Sequence, residues 1–330
     1  MRRAGVLFRV LFAVVAVSLA ASCAGGASAI RDTTPGPPPP SYVASWGQGW
    51  VRSFDAGFTG ARLDTSAWGT CYPWQSPDGC TNFGNSDEYE WYTPSQDKVY
   101  GGALHLVAER IPTHGLASSG SSKEYAFRSG MVTTFPGFRF QYGYIQVVAR
   151  IPYGPGLWPA FWLAAADEQW PPEIDILEHY GTQKQFYEHL HPVASRAQEG
   201  SETVPDLSVG WHVFGLYWSP YRIVWFVDGR PVMSSRTGIP QQPMYFIANL
   251  AVYQQVETGW SGSAYAMIIR SIKVWQAKTY TGQEICPQCG EERGALSTQR
   301  HLANPDRVLN VVNRRLPCVS PTYRRRLRIL

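Results

Sequence analysis

The chain has 330 residues, 44% of them hydrophobic and 16% charged, enough to bury a sizeable core and too apolar for a wholly disordered polymer. Its net charge of +4 is made by the ends: residues 1–22 hold three Arg and no acid, residues 277–330 ten basic and four acidic residues, and residues 23–276 are left with 16 basic against 21 acidic. An acidic body argues against an enzyme of nucleic acids, and 13 Trp, 18 Tyr and 14 Phe beside 31 Gly and 25 Pro favour an all-β domain with flat rings to stack on.

The N-terminus reads as an export signal over residues 1–22, with Arg2 and Arg3 ahead of a largely apolar run at 10–21 that is too short to span a bilayer as an ordinary helix. Small residues directly before Cys23 resemble a bacterial lipoprotein processing site, so Cys23 is the lipidation candidate that would anchor the chain to a membrane. Ordinary cleavage and secretion is the alternative. Residues 23–42, with Pro35 and the run Pro37 to Pro40, read as a semi-rigid spacer in polyproline II conformation. In an oxidising compartment Cys71 and Cys80, with eight residues between them in a Pro, Gly and Asn-rich loop, are expected to form a local disulfide.

From residue 43 to 276 the hydrophobic pattern has period two. Strands are expected at 103–108, 130–134, 144–151, 174–178, 244–252 and 266–275. Within 211–232 a strand, a Ser-Pro-Tyr turn, a second strand, an Asp228-Gly229 hairpin turn and a third strand follow one another. No amphipathic helix of twelve residues is present in the pattern and no repeat, which indicates one large sandwich or barrel. Trp218, Trp225 and Trp275 fall on core-facing positions by alternation.

The chemistry concentrates in Glu173-Ile174-Asp175-Ile176-Leu177-Glu178. On a regular strand Glu173 and Asp175 share a face and Glu178 falls on the other, because five positions is an odd step. One extra residue in a β-bulge near Ile176-Leu177 would bring all three carboxylates to one face. Two Glu leaning together over Asp175 on a concave sheet would approach the roughly 5 to 5.5 Å separation that retaining glycoside hydrolysis needs. Mutual repulsion would keep a proton among the three. A solvated acidic strand face and a calcium site are the other readings of the same residues. Trp158 and Trp162, two apart on the preceding run, and Trp170, three residues before Glu173, would set indole faces beside the acids, suited to a pyranose ring or to filling core.

Beyond residue 276 the alternation ends, and residues 277–330 read as a loosely ordered basic extension. Cys286 and Cys289 have zinc-knuckle spacing, but only Cys318 and His301 remain to complete four ligands, so no metal is assigned.

The run WPAFWL, then EIDILE, then WHVFGLYW, WFVDG and IANLAV, with GNSDEYEWY and SGMVTT upstream, resembles glycoside hydrolase family 16, the laminarinase-like retaining glucanases, over roughly residues 45–276. The resemblance implies a β-jelly-roll sandwich of two curved antiparallel sheets with a concave substrate cleft. It implies Glu173 as nucleophile, Glu178 as general acid/base and Asp175 as the assisting carboxylate, with Trp158, Trp162, Trp170, Asn85 and His191 contacting sugar; His189, two residues before His191, shares its face. The expectation is an exported, monomeric endo-β-glucanase cleaving β-1,3 or mixed β-1,3/1,4 linkages without a cofactor. A transglycosylase or a hydrolase of another polysaccharide could use the same acids, and a carbohydrate-binding jelly roll could keep the groove without catalysis. This chain departs from the family where Gln146 replaces a common acid in IQVVAR and where Arg270 stands at a frequent Asp position of the convex face, which puts calcium in doubt.

Overall fold

The structure, a computed structural model, describes residues 39–83, 88–181, 185–193, 196–203, 206–253, 260, 262 and 264–282. The expected calls on Cys23, on Asn85 and on the tail past residue 282 lie outside the described residues.

Two β-sheets pack face to face. The smaller has six strands in the order Gln198–Thr203, Gln185–His191, Glu173–His179, Leu157–Ala165, Met244–Val252, Met131–Thr133. The larger runs from Arg230–Ser235 through Ile223–Val227, His212–Trp218, Gly143–Arg150, Ala264–Gln276 and Ala103–Glu109 to Phe127–Ser129 and Glu90–Tyr92. Neighbouring strands are antiparallel, except that Glu90–Tyr92 runs parallel to Phe127–Ser129. This is the β-jelly-roll sandwich expected from the sequence. The expected hairpin turn lies at Asp228-Gly229, where both residues have positive φ (49° and 78°), the conformation of a tight two-residue turn that follows the twist of its strands.

Alternation decides which side chains enter the core. In Leu157–Ala165, Leu157, Phe161 and Leu163 join the buried cluster between the sheets, as do Met244, Phe246, Ala248, Leu250 and Val252 of the neighbouring strand. Each Leu or Phe taken fully out of water there stabilises the sandwich by about 1.5–3 kcal/mol. The alternate residues, Trp158, Ala160, Trp162 and Ala164 with Tyr245 and Asn249, are left on the opposite face of the small sheet, where they line a cleft. Trp218 and Trp225 join the core between the sheets, as alternation indicates, whereas Trp275 is buried on the opposite face of the large sheet, because its neighbour Val274 takes the inward position.

The domain extends a little past the limits read from the sequence. Tyr42, expected to end the spacer, lies in the short helix Ser41–Ala44, donates or accepts a 2.8 Å hydrogen bond with Tyr144 and packs on Phe226. The two-residue strands Gly47–Gln48 and Thr279–Tyr280 pair with each other. Trp46, Tyr217, Val224, Phe226 and Trp275 form an apolar cluster on the side of the large sheet away from the core, with Tyr42, Trp50 and Tyr280 packed against it. Arg270 stacks its guanidinium 4.0 Å from the Trp211 ring centre, a cation–π contact where the family often has an acid.

Candidate active site

The strand Glu173–His179 carries the bulge that the parity of its acids requires. Against Leu157–Ala165, Leu177 pairs with Phe161 and Asp175 with Trp162, so Ile176 has no counterpart; against Gln185–His191 the register slips between Asp175 and Glu178. Ile176 and Leu177 are consecutive yet both belong to the core cluster. Two adjacent residues facing inward reset the alternation, and Glu173, Asp175 and Glu178 all project into the cleft. Trp225, fully buried beneath, donates its indole N–H to the Asp175 carbonyl at 2.7 Å and so ties down the backbone where the ladder is disrupted.

The cleft has a volume of about 660 Å³. Each acid has its own partners. Glu178 accepts from the Trp158 indole at 2.9 Å and the Tyr180 hydroxyl at 3.3 Å through Oε1, while its Oε2 makes a short contact with His189 Nδ1. His191 Nε2 lies 3.6 Å from Glu173 Oε1 and 3.4 Å from Asp175 Oδ2. Glu173 and Asp175 are hydrogen-bonded to each other, and Glu173 also accepts a hydrogen bond from Trp170. Trp162 donates to Asn249 at 2.8 Å, and Asn249 donates to the Tyr92 hydroxyl at 3.0 Å, which fixes the indole plane on the cleft floor.

Burial pushes the Glu173 carboxyl well above the usual carboxylate range, the charge of Asp175 adds to it, and His191 opposes. Asp175 is likewise raised by burial and by the charge of Glu178, with His189 opposing. His189 is pushed up to about 9: burial works against its charge, but its hydrogen bond to Glu178 and the charges of Glu178 and Asp175 outweigh that. Burial and mutual repulsion thus favour a proton on the Glu173–Asp175 pair, and His189 carries one at neutral pH where it meets Glu178. Two groups, Glu173 with Asp175 and His191, and Asp175 with Glu178 and His189, bring potential metal-ligand atoms within 4.8 Å of one another, but these are the same groups committed to the contacts just described.

Of the residues read from the sequence, the structure brings Glu173, Asp175, Glu178, Trp158, Trp162, Trp170 and His191 to one cleft. Cys71 and Cys80 form the expected disulfide at 2.03 Å. Sequence reasoning named His189 only as sharing a face with His191. It missed Tyr180, which parity two residues after Glu178 would have supplied, and Asn249, a polar residue inside an otherwise apolar strand. It also missed Tyr72, Trp74, Asn82 and Glu88, which come from irregular chain or its border and carry no periodic signal. Glu88, at the cleft border, is raised well above the carboxylate range by burial and by Glu90, to which it is hydrogen-bonded.

The family profile described as Glycosyl hydrolases family 16 matches residues 85–266, more than half of the chain. The chain belongs to that family. Among known proteins it is 33% identical over 193 residues to the endo-1,3-1,4-beta-glycanase ExsH of Rhizobium meliloti (strain 1021), covering 54% of this chain and 41% of that protein. It is 31% identical over 218 residues to the endo-1,3-1,4-beta-glycanase EglC of the same organism, covering 61% and 46%. The matches thus span less than half the length of these two curated relatives. Among solved structures, the catalytic domain of an endo-1,3-beta-glucanase (laminarinase) from Thermotoga petrophila RKU-1 superposes with a TM-score of 0.60 at 26% identity, covering 70% of this chain and all of that one. The laminarinase from Flavobacterium sp. UMI-01 gives 0.57 at 28% identity, covering 68% and again all of the other chain.

Proposed function

We propose that this family 16 member is an exported, retaining endo-β-glucanase acting on β-1,3 or mixed β-1,3/1,4 linkages. The observation that carries the reading is the bulge at Ile176-Leu177, which lines up Glu173, Asp175 and Glu178 on one face with Asp175 between the two glutamates. The likeness to the Thermotoga petrophila endo-1,3-beta-glucanase supports the choice of glucan, and that to the Rhizobium endo-1,3-1,4-beta-glycanases supports the linkages.

In the first step a Glu173 carboxylate oxygen attacks the anomeric carbon, the bond from that carbon to the glycosidic oxygen breaks, and Glu178 gives its proton to the departing oxygen. Asp175 keeps the proton it shares with Glu173, so the nucleophile is charged when it attacks. His189, in contact with Glu178 Oε2, supports the general acid by holding or returning a proton there. In the second step water gives its proton to Glu178 and its oxygen to the anomeric carbon, which frees Glu173. Trp158 and Tyr180 hold the Glu178 carboxyl in place by hydrogen bonds to Oε1. Export through residues 1–22, with a lipid on Cys23 as anchor, completes the proposal; fatty-acid labelling that survives in Cys23→Ala would remove the anchor.

The full chain, incubated with laminarin, mixed-linkage glucan, xyloglucan, agarose and carrageenan, is expected to release reducing ends from a β-glucan, and Glu173→Gln to release none. Cleavage of only a galactan would contradict the substrate class, and undiminished cleavage by Glu173→Gln would contradict the nucleophile.

A further inference from the structure

We propose that Trp74 is an outer sugar-binding platform, held against the cleft by the disulfide-closed loop 71–80 and serving to grip longer β-glucan chains beyond the sugar bound at the carboxylates. The proposal rests on the glucanase reading for its ligand and extends it to residues outside 85–266, the span of the family match.

Trp74 lines the same cleft as the acids, yet 50% of its surface is open to solvent. Its ring stacks on Tyr72 at 5.0 Å with the planes 11° apart, and Tyr72 lies 6.2 Å from Trp162. Trp162 is the cross-strand partner of Asp175. The three rings form a continuous aromatic wall that climbs from the sheet floor beside the acids to the loop. Trp170 meets the acids from the other side, beside His191, so exposed indoles flank the carboxylate row.

A half-exposed indole stacked on a buried tyrosine is a fixed flat surface, and an aromatic face binds the apolar face of a pyranose. The loop is fastened at several points, so little ordering is needed on binding. Besides the disulfide, Cys80 exchanges both backbone hydrogen bonds with Tyr92, Gln75 Nε2 donates to the Thr81 carbonyl at 2.6 Å, and the Thr70 hydroxyl donates to the Pro77 carbonyl at 3.2 Å. Such preorganisation turns ring contact into affinity with little entropic loss. The small second cluster of Cys71, Tyr72, Cys80, Tyr92, Met131, Ala164, Tyr245 and Ile247 packs this base of the loop to the small sheet.

The test is calorimetric titration of full-length Glu173→Gln, with and without Trp74→Ala, using β-1,3-gluco-oligosaccharides from the disaccharide to the hexasaccharide. Loss of one stacked ring is expected to weaken binding of the longest chains about tenfold and of the disaccharide less than about twofold. Trp74→Phe, which keeps a flat ring, should recover part of the loss, and Trp74→Leu, which keeps only bulk, should not. Equal loss at every length, no loss at any length, or Leu matching Phe would each overturn the platform. Reducing ends released from laminarin by the wild type are measured in parallel. Cleavage with length-independent affinity removes the platform and leaves the glucanase. Length-dependent loss without cleavage keeps the platform and removes the catalytic reading. Neither binding nor cleavage removes both.

Discussion

Replacing Glu178 by Gln should return His189 to ordinary behaviour, and the size of that change follows from the site. His189 is raised from 6.5 to about 9 because Glu178 and Asp175 favour its charged form more than burial disfavours it. Water reaches part of the ring and screens these charges, so the rise from 6.5 to about 9 is worth less to stability than the full 1.36 kcal/mol per unit, of order 1–2 kcal/mol. The folded value lies above the unfolded one, so this stability is fully present below 6.5 and is lost as pH rises through about 9. In Glu178→Gln the short contact to Nδ1 loses its charge, Asp175 at 3.9 Å from Nδ1 and Glu199 at 3.2 Å from Nε2 remain beside the ring, and burial then weighs more heavily. Histidine ring NMR, with the His189 signal assigned from His189→Gln, should show titration near 9 in the wild type and a value at least one unit lower in Glu178→Gln. Urea unfolding at about pH 6 and about pH 10 should show a smaller fall in stability for the variant than for the wild type, the difference being of order 1 kcal/mol. A His189 that titrates near its ordinary value in the wild type, or is unmoved by the substitution, would refute the coupling.

Trp225→Phe keeps a buried ring but leaves the Asp175 carbonyl without its donor; unfolding in denaturant should show a loss of about 1–3 kcal/mol from that group alone, with kcat falling more than KM as the bulge loosens. Asp97 is buried and raised well above the carboxylate range by desolvation, so its ionisation costs stability as pH rises above its unfolded value near 3.8. Asp97→Asn should therefore raise the thermal midpoint at pH 7, with the two proteins converging toward about pH 4, and an unchanged gap across that range would contradict the assignment.

How far the sequence carried the structure can be followed residue by residue. The strands were legible because alternation survives wherever one face is buried, as in 157–165, where Trp158 and Trp162 separate from Phe161 and Leu163. The bulge was legible because Glu178 has the wrong parity for a regular strand, and the adjacent inward residues Ile176 and Leu177 supply the correction. That Trp225 is core could be read from period two; that its N–H holds the Asp175 carbonyl could not, since alternation gives a face and no partner. For the same reason His189 and His191 were placed together while their division between Glu178 and the Glu173–Asp175 pair was hidden. Tyr72 and Trp74 were hidden because a loop has no period, although the cysteine spacing around them was plain. Tyr42 was read as spacer because it follows the proline run, whereas its ring has Tyr144 and Phe226 to pack on.

Glu173 is proposed to attack the anomeric carbon with Glu178 as acid and base. Proton NMR of the first products formed by the full chain from laminarin or mixed-linkage glucan tests it most directly. The account predicts new reducing ends in the β configuration, equilibrating later to the α form, and no signal from Glu173→Gln. Reducing ends that appear first as α would mean a single displacement by water and would contradict it.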